Sequence, residues 1–341
     1  MNPPRNVPLV AVYRGELIET VHHGSIAVVE STGRVLLAAG DVGQMVYLRS
    51  GAKPFQLLPL IETGAADRFA FPDQELAVMA GSHGGEPEHT KVVASILRRA
   101  GLAETDLRCG THRPFHRDTA EGNIRAGRVP TLLQNNCSGK HAGMLALARH
   151  LDAGLETYTE PDHPVQRLCL EAVARCCDHP AEAISTGLDG CSVPTFALPL
   201  WKAALGYARL AEPGAAHPPI PALGRIAAAM RSHPLMVAGT GRLGTDLMRE
   251  LGSQILVKVG ADGFIAAGFH RDRRGIGLAV KMAAGEGGPI RAAALLEAVG
   301  RAGEFPANIL ESVRRRQVGP VRTLRGAEAG RVVPVFRLES P

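Results

Sequence analysis

The chain has 341 residues, 45% of them apolar and 21% charged, with a net charge of +5. That is ordinary for a globular protein and long enough for one large domain or two lobes. Aromatic residues make up only 4%, and basic residues are dispersed apart from "RRR" at 314–316, which argues against a nucleic-acid platform and for a solvated helix face. No apolar stretch reaches the roughly 18 residues of a membrane span, and the start "MNPPRNVPLVAVYRG" lacks the apolar core of a secretion signal. Six cysteines in a chain this long do not make a disulfide framework, so reduced thiols and a cytoplasmic location are expected.

In chain order, "LVAVYRG", "SIAVVE" and "RVLLAAG" predict strands, with "STGR" (31–34) as a turn and a meander or hairpin over 9–40. Apolar spacing then predicts helices over 53–63, 72–80, 87–100, 138–151, 163–177, 194–210 and 220–232. "EPGAAHPPIPALG" (212–224) reads as a surface connection. Strands return in "QILVKVG", "GFIAAGFH" and "GIGLAVKMA" (254–283), followed by a helix over 289–302. A last strand in "RVVPVFRLE" is expected at an edge because of Pro334. Strands at both ends around a helical middle indicate an α+β fold: a mainly antiparallel sheet from both chain ends with an inserted helical region. The whole of 1–341 reads as one domain, its sheet part about 1–60 and 250–341 and its helical part about 61–249.

Six stretches carry residues suited to chemistry. "RSGAKPFQ" (49–56) holds Ser50-x-x-Lys53; on a helix starting at Ser50 the hydroxyl and amine share a face, and a lysine made less basic by burial can take the serine proton. The same spacing also fits a capping serine followed by a solvated lysine. In "AGSHGGEPEHT" (80–90) two glycines after Ser82-His83 allow close backbone approach to a ligand, or make a tight inter-helix turn. "QNNCSGKHAGM" (134–144) repeats the spacing as Cys137-x-x-Lys140; G-x-x-x-x-G-K-[ST] is absent, which disfavours nucleotide binding, and a buried structural cysteine is the plain alternative. "GLDGCSVPTF" (187–196) places Asp189 and Cys191 two apart in a loop, so Cys137 and Cys191 can share a metal with Lys140 or His141, although this is not a C-x-x-C spacing. "GTGRLGTDLM" (239–248) is a glycine-rich helix entry suited to an anion. "VKVGADG" (257–263) puts Lys258 in an apolar strand, where it is a functional amine or an outward-facing lysine; Lys281 follows the same logic.

Together and in this order, these stretches resemble the rhizobial-type (inducible, thermolabile) L-asparaginase family over about residues 8–285. The resemblance implies a fold like that of serine β-lactamases and glutaminases. It also implies a homodimer that hydrolyses L-asparagine to L-aspartate and ammonia, with no organic cofactor. It implies two serine–lysine pairs, Ser50 with Lys53 and Ser82 with Lys258, Lys281 being the rival for the second lysine. It further implies zinc held by Cys137, Lys140 and Cys191 beside Asp189, which requires a neutral, depressed Lys140 amine. On that reading either Ser50 or Ser82 attacks the side-chain amide, Ser50 being favoured because its pair is local. Backbone N–H groups near Ser50 or Gly84-Gly85 serve as the oxyanion hole, Arg49 takes the substrate carboxylate, Asp189 its ammonium, and His83 lines the substrate site. The partner is then a small amino-acid amide, with no nucleic acid and no membrane. A glutaminase or another Ser-x-x-Lys acyl hydrolase is the nearest alternative. A thiol or metal-storage protein and a non-catalytic amino-acid binder are the alternatives of other classes.

Overall fold

The computed structural model describes residues 3–340, so Met1, Asn2 and Pro341 of the expected domain lie outside the described residues. The chain divides into two compact units. The first comprises Met1–Gly51, Leu198–His217 and Asp246–Pro341; the second comprises Ala52–Ala197 and Pro218–Thr245.

The first unit is built on an eight-stranded sheet whose pairings are antiparallel. Its strands run in the order Pro320–Arg322, Glu328–Pro334, Val7–Arg14, Leu17–Glu30, Arg274–Met282, Phe264–Arg271 and Ile255–Val259, and Val35–Ala39 pairs with Leu17–Glu30 off this path. Both chain ends thus supply the sheet, as the α+β pattern implies. Leu17–Glu30 is longer than "SIAVVE" suggests, because its exposed first half forms a hairpin with Val7–Arg14. Pro334 does not mark an edge strand: Glu328–Pro334 has a neighbour on each side. The short strand Pro320–Arg322 pairs only up to Arg331, however, so no partner on that side needs an N–H from residue 334.

Ile276, Leu278, Ala279 and Val280 are all buried, so both faces of the sheet are covered there. Leu200–Ala211 and Gly288–Ala302 are the helices that pack on it. Sequence spacing assigns Leu200–Ala211 to the helical insertion, but it belongs to the sheet unit. It sits very close to the strands: a Cβ at Gly277 would lie 1.8 Å from the carbonyl oxygen of Ala204. The predicted helix over 194–210 is in fact a strand, Pro194–Pro199, followed by Leu200–Ala211. Pro199 has φ −56° and ψ 140°, and prolines at 194 and 199 push their preceding residues to extended backbone.

In the second unit, Ser138–His150 is buried from Ser138 to Ala148, and the helices Asp73–Met79, Pro87–Arg99 and Pro164–Cys177 pack around it. Its alanines, glycines and leucines suit burial on all sides, and Ser138, Lys140 and His141 are the polar groups it buries. Gly139 lets it meet the end of Asp73–Met79, since a Cβ there would lie 2.4 Å from the Val78 carbonyl oxygen. Chain segments 80–86 and 135–140 are thereby brought side by side. The helix Arg117–Arg125 and the strand Ser185–Leu188 were not expected from sequence, and the helix Ala307–Gln317 was foreseen only as the helix face bearing the basic run. Arg314 and Arg316 of the basic run pair with Glu297 and Glu250, as a solvated helix face does.

Candidate active site

Ser82 sits in the extended segment between Asp73–Met79 and Pro87–Arg99, and its N–H donates to Val237 O at 2.8 Å. Lys53 opens the helix Lys53–Gln56 and is 1% exposed. Its Nζ lies 2.7 Å from Gly81 O, 3.1 Å from Asn136 O and 2.8 Å from Ser82 Oγ. Two of those three partners are carbonyls, which only accept. A neutral amine donating to both would face Ser82 Oγ with its lone pair. Burial is the main cause holding the Lys53 amine below its usual value; the nearby Cys137 thiolate opposes this and Lys140 adds to it.

Cys137 immediately precedes the helix Ser138–His150, and its N–H donates to Asn135 Oδ1 at 2.7 Å. Asn135 is in turn fixed through its amide to Cys109 O and Gly110 O. Ser185–Leu188 pairs with Pro194–Ala197 as a hairpin, and its turn is closed by the Asp189 N–H on Val193 O at 2.9 Å, which carries Asp189 and Cys191. Lys140 Nζ lies 3.0 Å from Cys191 Sγ, and Cys137, Lys140 and Cys191 are each at most 5% exposed. The Cys191 thiol donates to Cys137, which holds Cys137 well below the usual thiol range as a thiolate, with Lys53 and Lys140 assisting against burial. The same hydrogen bond, with burial, keeps the Cys191 thiol protonated. Burial lowers the Lys140 amine, but Cys191, Cys137 and Asp189 outweigh it and hold it raised. This is the reverse of the depressed value expected from sequence, and a thiolate beside an ammonium is the reason.

Among the described residues no group of three or more His, Cys, Asp and Glu side chains is placed to hold a metal. The Lys140 amine is what brings this cluster to three donors. Two sulfurs and one nitrogen in a dry site fit the ligand chemistry of zinc with a further position open. Ligation would require the Lys140 proton to leave.

His83 is 0% exposed. Its Nδ1 accepts the Gly85 N–H at 3.2 Å, and its Nε2 lies 3.0 Å from Ser138 Oγ, whose own proton goes to Leu133 O. Burial, then the neighbouring His89 and Lys53, keeps the ring neutral. Both nitrogens are engaged, so His83 orients the segment rather than presenting a group to substrate. The Gly85 N–H is likewise committed, which removes it from the expected oxyanion hole. Glu86 accepts the N–H and hydroxyl of Thr240 at 2.9 and 2.5 Å. Sequence reasoning missed His112 and Arg242. His112 accepts the Asn136 N–H at 3.0 Å and stacks on Phe115, over which Arg242 lies. Two histidines around an aromatic in "THRPFH" (111–116) were the available signal.

In the first unit Ser50 is 9% exposed and lies in a 3-10 turn, Arg49–Ala52, rather than at the start of an α-helix. Arg49 has φ +49°, a left-handed conformation that a non-glycine residue adopts at a cost. Its guanidinium pairs with the Asp262 carboxylate, and Lys281 donates to Asp262 O. The Gly51 N–H goes to Leu48 O, and Tyr207 donates to Gly51 O, so the turn is pinned. Lys258 is 1% exposed and its Nζ donates to Val259 O at 2.9 Å; it is not an outward-facing strand lysine. Lys281 is less buried, and burial lowers its amine.

A serine and a lysine hydrogen-bonded in a buried setting have the geometry that a nucleophile and its base require for acyl transfer. The chain belongs to the L-asparaginase II family, whose model matches residues 10–334. Among curated proteins none matches the chain significantly. Among solved structures, Mglu in its native form aligns over 86% of this chain and 63% of its own, at 16% identity and a TM-score of 0.42. Mglu in its glutamate form aligns over 82% and 61%, at 16% identity and a TM-score of 0.41. A Bacillus glutaminase aligns over 76% and 83%, at 13% identity and a TM-score of 0.37. The chain therefore spans about 63% of the length of native Mglu.

Proposed function

We propose that the chain hydrolyses the side-chain amide of L-asparagine to L-aspartate and ammonia, with Ser82 as nucleophile and Lys53 as its general base. Family membership supports the reaction class. The observation that carries the assignment is the 2.8 Å contact of Lys53 Nζ with Ser82 Oγ, with two carbonyls taking the other amine protons. Ser82 Oγ bonds to the amide carbon as its proton passes to Lys53. The C–N bond then breaks, and Lys53 returns the proton to the departing ammonia. Water cleaves the resulting ester, releasing aspartate and restoring the Ser82 hydroxyl.

Asp189, beside the cysteine cluster and half-exposed, is suited to the substrate ammonium. Zinc, when bound, would supply a fixed positive charge beside the reacting centre. Cys137, Lys140 and Cys191 would hold it, and their own part is to fix the hairpin turn against the start of Ser138–His150. A second reading has Ser50 acylated. It draws on the strained Arg49 backbone just before that serine, since such strain concentrates at reactive turns. The pairs expected from sequence were Ser50 with Lys53 and Ser82 with Lys258; with Lys53 lying against Ser82, Lys258 is left as the second lysine, favoured over Lys281 because it is the more deeply buried.

The same proposal takes 1–341 as one asparaginase domain with a serine β-lactamase-like fold, acting as a cytoplasmic homodimer. The antiparallel sheet drawn from both chain ends supports the fold, and six buried, unbridged cysteines support a reducing compartment. No helix among the described residues is long and apolar enough to cross a membrane. The test is ammonia release from L-asparagine and L-glutamine by the purified chain and its Ser82→Ala variant. Activity on asparagine that falls by at least about 10²–10⁴-fold in the variant is expected. Near-normal turnover by Ser82→Ala would rule the assignment out.

A further inference from the structure

An asparagine substrate carries an α-carboxylate two carbons from its reacting amide, so the site needs a cation for it. Arg49 is a poor candidate because Asp262 already holds its guanidinium. Arg242 is half-buried, and its guanidinium, like that of Arg231, makes no hydrogen bond or ion pair among the described residues; what sets Arg242 apart is its place on the segment that runs along Ser82. What it does make is a face contact, its Cζ lying 5.4 Å from the centroid of Phe115. Burial lowers its basicity, and Glu86, the one carboxylate that opposes this, is occupied by Thr240. A half-buried guanidinium without an anion has its donors open to a carboxylate that arrives.

Its position suits that arrival. Phe115 stacks on His112 with ring centroids 4.8 Å apart, His112 accepts the Asn136 N–H, and the Asn136 carbonyl accepts from Lys53, the base beside Ser82. The segment bearing Arg242 also runs along the one bearing Ser82, through the Ser82 N–H on Val237 O and the Thr240 contacts to Glu86. Arg242 directly precedes the helix Leu243–Leu251, whose N-terminal dipole adds to the attraction for an anion.

We propose that Arg242 binds the α-carboxylate of the amino-acid substrate and so sets specificity for α-amino acids over simple amides; this rests on reading Lys53 and Ser82 as the amide-hydrolysing couple. Phe115 takes part of the guanidinium through its ring, and the guanidinium's N–H donors suit a bidentate carboxylate.

The test compares the full chain with Arg242→Gln and Arg242→Lys. Steady-state ammonia release from L-asparagine is measured, together with competitive inhibition by 3-aminopropanamide, which is asparagine without its α-carboxylate. For Arg242→Gln the KM for L-asparagine should rise about 10–100-fold with kcat nearly unchanged, and inhibition by 3-aminopropanamide should match the unaltered protein. Arg242→Lys, which keeps the charge but loses the fork, should fall between and serves if the glutamine variant does not fold. A KM within twofold of the unaltered protein in the folded variants overturns the proposal. So does an equal weakening of 3-aminopropanamide, because a merely structural arginine would affect both ligands. Absence of asparagine turnover by the unaltered protein would instead defeat the parent reading, which keeps the two failures apart.

Discussion

Lys53 has an acceptor on two sides and a hydroxyl on the third, and that geometry suits a base better than a permanent cation. Arg cannot lose its proton in this setting and is too broad for the three short contacts, so Lys53→Arg should lower kcat by about 10²-fold or more while the protein stays folded. Ammonia release alongside a circular-dichroism melt checks this. At the cysteine cluster, Cys137→Ala should reduce zinc per chain in metal analysis after incubation with the ion; unchanged stoichiometry would mean that Cys137 is not a ligand. The residue scale is also where sequence reading both succeeds and falls short. Ser50-x-x-Lys53 and Cys137-x-x-Lys140 were visible because they are spacings three apart. The hydrogen bond from Lys53 to Ser82 spans 29 positions and has no local signature. Arg242 was not named for the same reason: its stretch, 239–248, reads only as a glycine-rich helix entry, and the contact that places it is with Phe115, far away along the chain.

At the scale of elements, small residues decide where helices can lie. Gly277 has its α-carbon under the backbone of Leu200–Ala211, so Gly277→Ala should destabilise the fold by about 1–3 kcal/mol, seen as a lower Tm. Gly122 provides the contrast. It lies in the helix Arg117–Arg125 with nothing within 4 Å of a built Cβ, so Gly122→Ala should raise stability by up to about 1 kcal/mol. A similar response at both positions would show that close packing on the sheet is not what Gly277 serves. The strands and most helices were legible because their apolar periodicity is local. The stretch 194–210 misled because the alanines and leucines after Pro199 suit a helix and its apolar spacing was carried back over the first six residues, where Pro194 and Pro199 limit the backbone.

For the molecule as a whole, buried histidines link stability to pH. His83 and His89 are both pushed down, chiefly by burial, so the unfolded chain takes protons first as pH falls. Their contribution is complete above the unfolded value of about 6.5 and declines as pH drops below it toward the folded values. Tm should therefore fall between about pH 7 and 5, and His83→Gln should make that slope shallower; an unchanged slope would contradict the neutral, buried ring. The α+β layout was readable from strand-rich ends and a helical middle, whereas the helix that crosses into the sheet unit was not, because contact with a sheet leaves no periodicity of its own. The mechanism turns on which hydroxyl carries the acyl group. Mass spectrometry of the chain quenched during turnover of a slowly deacylating aspartyl derivative reads this directly. A mass increment on the peptide containing Ser82, lost in Ser82→Ala, is predicted; an increment confined to the peptide containing Ser50 would contradict it.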